Sequence, residues 1–229
     1  MKNLMVYINP LKEFTKDYVN LVKVQIDNSL RTWDREDILL VTNFPYSYEG
    51  INSTVVPDDL FCQHRKVGSK INVICYLLEK RMLNDLCWFH DFDAYQVVDK
   101  FPEDILGNKD AGFTDYGYSD GWNTGSFFFT PKAKDIFELI RKTMYAMRVH
   151  EEHALVRLTS KNIDNINERY IKLNNTYNLG RMRCNELTYE KAEKPIKVFH
   201  FHPKMTPIFE EVKPLLPDYL IEIFKKHGY

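Results

Sequence analysis

Two short apolar runs near the start of the chain are each closed by an Asn and a Pro. Residues 4–8 read LMVYI and stop at Asn9-Pro10; residues 38–41 form the centre of DILLVTN, which ends at Asn43 and Pro45. Partly β-branched runs of this length, bounded by turn residues, predict strands buried on both faces. Between them Phe14, Tyr18, Val22 and Ile26 recur every fourth residue, which predicts a helix over about residues 12–30 with that row facing the core. Strand, helix, strand opens an α/β fold with parallel pairing.

A second helix is predicted from Ser69 as N-cap, with Ile71, Ile74, Cys75, Leu78 and Met82 at helical spacing. It runs into LCWFHDFDAYQVV, a buried strand over residues 86–90, an acidic interruption and a further apolar strand. Later come a Gly-containing strand over about residues 125–130 and a helix over about 131–149 with Pro131 in its first turn. A helix beginning near Glu151, a strand over 197–201 and an amphipathic C-terminal helix follow. The chain has no internal repeat, low-complexity tract or Gly/Ser linker, so its 229 residues predict a single domain with one sizeable core.

Composition narrows the function by exclusion. Lys plus Arg number 31 against 32 Asp plus Glu, a balance that argues against a dedicated nucleic-acid binder but leaves room for a local basic patch on a small anion. No run of 18 apolar residues occurs and the first apolar run is too short for a secretory signal, so no membrane span is expected and the cytoplasm is the expected compartment. Cys62, Cys75, Cys87 and Cys184 show no CxxC spacing and read as reduced thiols. The sequons at Asn52 and Asn174 are then idle.

The candidate chemistry lies at Asp91 and Asp93. In extended geometry residues i and i+2 point to one side, so both carboxylates at the carboxyl end of a buried strand reach one cation, in the crevice where open α/β sheets bind ligands. Oxygen ligands suit Mg²⁺ or Mn²⁺.

The segment CWFHDFDAY, preceded by the helix GSKINVICYLLEK, resembles the D-x-D region of the glycosyltransferases of the GT-A fold. The resemblance implies one GT-A-like (Rossmann-like) domain with a mixed, mainly parallel central sheet flanked by helices. It implies transfer of a sugar from a nucleotide-diphosphate donor, a UDP-sugar being favoured, to a glycan or glycoprotein hydroxyl. Asp91 and Asp93 would hold a divalent cation, Mn²⁺ or Mg²⁺, on the diphosphate, and Lys70 would face the nucleotide. GWNTGSFFFT resembles the N-x-G strand entry of that family, where Asn123 would supply amide hydrogen bonds and Gly125 would let the backbone approach the sugar. HEEHALVRL resembles its acidic helix start, giving Glu152 as base or hydroxyl ligand, with Glu151 beside it and Asp120 behind. VFHFHPK resembles its late metal-binding segment, with His200 first and His202 second as ligands and Lys204 near the diphosphate. Arg65 or Lys66 would add positive charge, and Ile8, Asn9, Thr42 and Asn43 would border the base. The compact form resembles small glycosyltransferases of large algal viruses and some bacteria, for which the host cytoplasm and a monomer or weak dimer are expected.

Other readings stay open. A metal-dependent phosphotransferase or phosphatase of the haloacid dehalogenase type also places D-x-D after an apolar strand, but near the N-terminus and without Tyr95 in the slot that follows. A nucleotidylyltransferase would carry a Gly-rich phosphate loop after the first strand, which INPLKEF lacks. A non-catalytic glycan-binding protein would stack sugars on aromatics such as Trp88, Trp122 and Tyr118. Neither inversion nor retention at the anomeric carbon is favoured by the sequence.

Overall fold

A computed structural model describes residues 1–180 and 188–229; Cys184 lies outside the described residues. The strands in chain order are β1 (Lys2–Tyr7), β2 (Ile38–Thr42), β3 (Ser47–Tyr48), β4 (Ile51–Asn52), β5 (Thr54–Val55), β6 (Cys87–His90), β7 (Ala94–Gln96), β8 (Ala111–Asp115), β9 (Trp122–Phe129), β10 (Tyr170–Lys172) and β11 (Val198–His200). The helices are α1 (Tyr18–Ser29), α2 (Ser69–Glu79), α3 (Lys134–Met147), α4 (Glu151–Ser160), α5 (Thr188–Lys191), α6 (Thr206–Val212) and α7 (Asp218–Lys226).

Seven strands form the central sheet in the order β10-β8-β9-β6-β1-β2-β5. The β1–β2, β1–β6, β2–β5 and β8–β10 pairs are parallel, while β9 runs antiparallel to both β6 and β8. Every residue of β6 and β9 is buried, as expected of strands covered on both faces. The result is a mainly parallel, mixed α/β sheet flanked by helices. Outside it, β7 pairs antiparallel with β11, and β3 with β4.

The first helix starts six residues later than the four-residue row predicts. Lys12 adopts a positive φ of 56°, its N–H bonds to Asn9 O at 2.9 Å, and Thr15 O receives the N–H groups of Tyr18 and Val19. Phe14 is buried, but among Tyr7, Phe44, Tyr46 and Phe92 rather than on a helix face. Ser69 does not cap α2 either: Gly68 holds that position, and the Ser69 hydroxyl accepts from the Cys62 N–H. Met82 lies beyond the helix and is exposed. Trp88 and Trp122 are buried, so neither offers a face to a sugar. Among the described residues no helix is long and apolar enough to cross a membrane.

Candidate functional site

Asp91 and Asp93 do not extend the strand; they occupy a tight turn between β6 and β7, closed by the Ala94 N–H on Asp91 O at 3.1 Å. The carboxylates converge because Phe92 between them points the other way, into the aromatic cluster of Tyr7, Phe14 and Tyr18, with centroids 6.2, 6.0 and 6.1 Å away. The pairing of β11 with β7 sets His200 opposite Ala94. One ligand atom from each of Asp91, Asp93 and His200 then falls within 4.8 Å of the others.

The donor set fits a divalent cation. His200 Nδ1 lies 2.9 Å from Asn178 Oδ1, an amide oxygen that accepts a proton on Nδ1 and leaves Nε2 to face the carboxylates, the outer-shell arrangement of a metal-ligating imidazole. Two carboxylates with one imidazole make an oxygen-dominated set suited to Mg²⁺ or Mn²⁺. His200 Nε2 is 3.3 Å from Asp93 Oδ1. Burial works against both charges, yet each partner outweighs it, raising the His200 pKa and lowering that of Asp93. Asp91 goes the other way, pushed up to about 6 by burial and by Asp93 despite the opposing charge of Lys70.

Lys70, buried in the first turn of α2, ties this pair to α4. Its Nζ lies 3.4 Å from Asp91 Oδ2, 3.2 Å from Glu151 Oε1 and 2.9 Å from Thr124 O. Burial alone would lower its pKa, but Asp91, Glu151 and Glu152 raise it above the ordinary lysine value. Glu151 is buried, its pKa lowered by Lys70 against the effect of burial, and its Oε2 has no partner among the described residues. Glu152 accepts from Tyr116 OH at 2.8 Å and from the Thr124 N–H at 3.0 Å.

Two cavities meet here. The larger, of about 650 Å³, is walled by Ile8, Asn9, Tyr7, Tyr18, Phe61 and Lys66 and reaches Lys70, Asp91, Asp93 and His200. The smaller, of about 310 Å³, is lined by Tyr116, Asn123, Gly125, His150, Glu151 and Glu152, and shares Lys70, Asp91 and His200 with the first. The expected residues are thus sorted. Ile8, Asn9, Lys70, Asp91, Asp93, Asn123, Gly125, Glu152 and His200 line one cavity or both.

Thr42 and Asn43 do not line either cavity: both are buried, Thr42 donates to Phe44 O, and Asn43 braces the backbone of Asn9 through two bonds of 2.9 Å. Arg65 and Asp120 line neither cavity. His202 falls past the end of β11 and outside the Asp–Asp–His cluster, accepting from the Lys204 N–H at 3.2 Å. Lys204 pairs with Asp17 at 3.1 Å on the surface.

The close approach that requires glycine at 125 is that of an imidazole: a Cβ there would sit 2.0 Å from His200 Cε1. Sequence reasoning missed Tyr7, Tyr18, Tyr116, His150 and Asn178 as site residues. The two tyrosines around Gly117 in DYGYSDGW were a signal for Tyr116; Asn178 gave none.

Solved structures align with the chain over nearly its whole length. The galactosyltransferase LgtC, determined with donor and acceptor sugar analogues, matches at 14% identity over 97% of this chain and 100% of its own, with a TM-score of 0.57. A glycosyltransferase involved in glycosylation of the major capsid of PBCV-1 matches at 13% identity over 94% and 99%, with a TM-score of 0.55.

The chain has the GT-A fold.

GlyE of Streptococcus pneumoniae TIGR4 shares this GT-A architecture at 12% identity and a TM-score of 0.56, over 87% of this chain and 54% of its own. No protein-family model and no curated protein sequence matches the chain. At these identities the likeness to GT-A enzymes is one of fold, and the site must carry any argument about chemistry.

Proposed function

We propose that the chain is a glycosyltransferase that moves a sugar from a nucleotide-diphosphate donor, a UDP-sugar in the first instance, to a hydroxyl of a glycan or glycoprotein, with all 229 residues forming one catalytic domain. The observation that carries this reading is the Asp91–Asp93–His200 cluster, whose Asp91 and His200 line two cavities at once, one walled by aromatics and the other by acids. A donor spans such a site with its nucleotide in the larger cavity and its sugar in the smaller, so that the diphosphate crosses the cluster. The fold shared with a galactosyltransferase solved with sugar analogues and with a capsid glycosyltransferase supports the same reading.

In this proposal Asp91, Asp93 and His200 hold Mn²⁺ or Mg²⁺. The ion, when bound, supplies Lewis-acid stabilisation of the charge growing on the departing diphosphate. The protein does the rest. Tyr7 and Tyr18 border the nucleotide, and Lys70 keeps Asp91 and Glu151 charged and in place. The unpartnered Glu151 Oε2 accepts from a sugar hydroxyl, which satisfies a buried acceptor. Glu152, aligned by Tyr116 OH and the Thr124 N–H, takes the acceptor's proton. The three described thiols are free and buried, with burial pushing Cys75 and Cys87 up to about 12, which suits a reducing cytoplasm.

The test is release of nucleoside diphosphate from a panel of nucleotide sugars in Mn²⁺, Mg²⁺ or EDTA. Cation-dependent turnover of one donor, lost in EDTA and in Asp93→Ala, is expected. A phosphatase acting through the same acids would instead release inorganic phosphate from phosphomonoesters, and no donor binding under any cation would overturn the proposal.

A further inference from the structure

The helix α1 carries three polar residues, Gln25, Asn28 and Ser29, on its buried face. Buried amides are costly unless their hydrogen bonds are met, so what they bond to explains their presence. Among the described residues strand β7 pairs with β11 along one edge and with no strand along the other. Along the other edge α1 substitutes side chains for a strand: Gln25 Nε2 donates to Ala94 O at 2.5 Å and Asn28 Nδ2 to Gln96 O at 3.1 Å.

Gln25 does more than fill that edge. Its Nε2 also lies 2.7 Å from His90 Nδ1, so one amide spans the residues on either side of the Asp91–Asp93 turn. The His90 tautomer follows from its neighbours. Asn3 Nδ2 donates to Ser29 Oγ at 3.1 Å, which turns Asn3 Oδ1 toward His90 Nε2 at 2.7 Å, while Nδ1 faces both Gln25 Nε2 at 2.7 Å and Asp91 O at 3.1 Å; the shorter contacts put the proton on Nε2 and let Nδ1 accept from Gln25. His90 is further held by stacking on Trp88, centroids 4.0 Å apart. The chain Ser29–Asn3–His90–Gln25–Ala94 is buried at every side chain it uses; its donors are placed, while Gln25 Oε1 has no partner among the described residues, so the donating side of the amide is what ties the network together.

We infer that Gln25 is a positioning residue for the cation cluster: by clamping His90 and Ala94 it fixes the span of the turn that sets Asp91 against Asp93, and through β7 it sets the strand that carries His200. This rests on the proposal that the cluster binds a divalent cation. Gln25 touches no ligand atom of the cluster and acts through the backbone that presents the carboxylates.

The experiment compares Gln25→Met, which keeps length and helix propensity but cannot donate, with Asn28→Ala, which removes the other bond from α1 to β7. Mn²⁺ affinity is measured on the folded proteins by electron paramagnetic resonance without donor, beside each melting temperature. Gln25→Met is expected to weaken Mn²⁺ about 10-fold, the low end of the cost of removing a partner bonded directly to a ligand because Gln25 acts one step further out, while Asn28→Ala lowers the melting temperature and leaves Mn²⁺ affinity nearly unchanged. Equal effects of the two variants on affinity, or wild-type affinity in Gln25→Met, would overturn the inference. Should Gln25→Met not fold, Asn3→Ser, which frees His90 at Nε2, carries the same expectation in weaker form. Failure of the wild type to bind Mn²⁺ would remove the cation reading itself, and the wild-type titration shows this independently of any variant.

Discussion

The two cavities that meet at Asp91 are built from opposite materials. The larger is bounded by the first parallel strand and its loops, with Tyr7, Tyr18, Phe61 and backbone as its walls. The smaller lies over the antiparallel strand β9 and the start of α4, and titratable groups dominate its lining: Glu151, Glu152, His150, Tyr116 and Lys70. A surface of the first kind recognises a flat, apolar group by shape and stacking, and tolerates small changes. One of the second kind recognises hydroxyls and developing charge, where a single misplaced donor is costly. Under the proposed function the nucleotide falls to the first side and the chemistry to the second.

Substitutions on each side and on the wall between should separate these roles. Glu152→Gln keeps the shape and removes the charge; turnover should fall about 10²- to 10⁴-fold with donor KM little changed, as read by steady-state kinetics. Unchanged turnover would return Glu152 to a structural part, holding Tyr116 and the start of α4.

Next in size is Gly125→Ala in the smaller cavity, against His200 of the shared wall. Its Cβ would collide with His200, so the ring must move; Mn²⁺ affinity should drop about 10- to 100-fold, the scale of disturbing a ligand's support. Wild-type affinity in a titration of this variant would mean that His200 is not a ligand.

Tyr18→Ala should have the smallest effect and the opposite kinetic signature. Loss of a stacking face costs about 1–3 kcal/mol, so donor KM should rise about tenfold or somewhat more while kcat holds. A fall in kcat instead would erase the division between the cavities.

Legibility in the sequence followed the same line between local and tertiary causes. The D-x-D pair, the helix that follows Pro131 and the acidic start of α4 could be read because each is written in adjacent residues, although the pair reads as extended strand and forms a turn, and Pro131 stands ahead of α3 in a short 3-10 turn. The start of α1 was misplaced because Phe14 is buried by rings from three other segments, and spacing cannot distinguish that from a helix face. The short strands β8 and β10 passed unread, one interrupted by Gly112 and the other three residues long. His200 could not be separated from His202 because the separation depends on where β11 stops pairing with β7. Thr42 and Asn43 looked like ligand contacts at a strand end; the fold uses their polar atoms on its own backbone.

The residue between the two aspartates has a consequence for the energetics of the motif. Two carboxylates with oxygens less than 5 Å apart repel by roughly 3–4 kcal/mol at the effective dielectric of a protein site. Burying a phenylalanine is worth about 1.5–3 kcal/mol, and Phe92 is almost wholly buried. The middle letter of the motif is therefore its keel. Hydrophobic ballast below the turn offsets much of the like-charge strain above it, and Lys70 and His200 oppose what is left, which still shows in an Asp91 carboxyl pushed up to about 6.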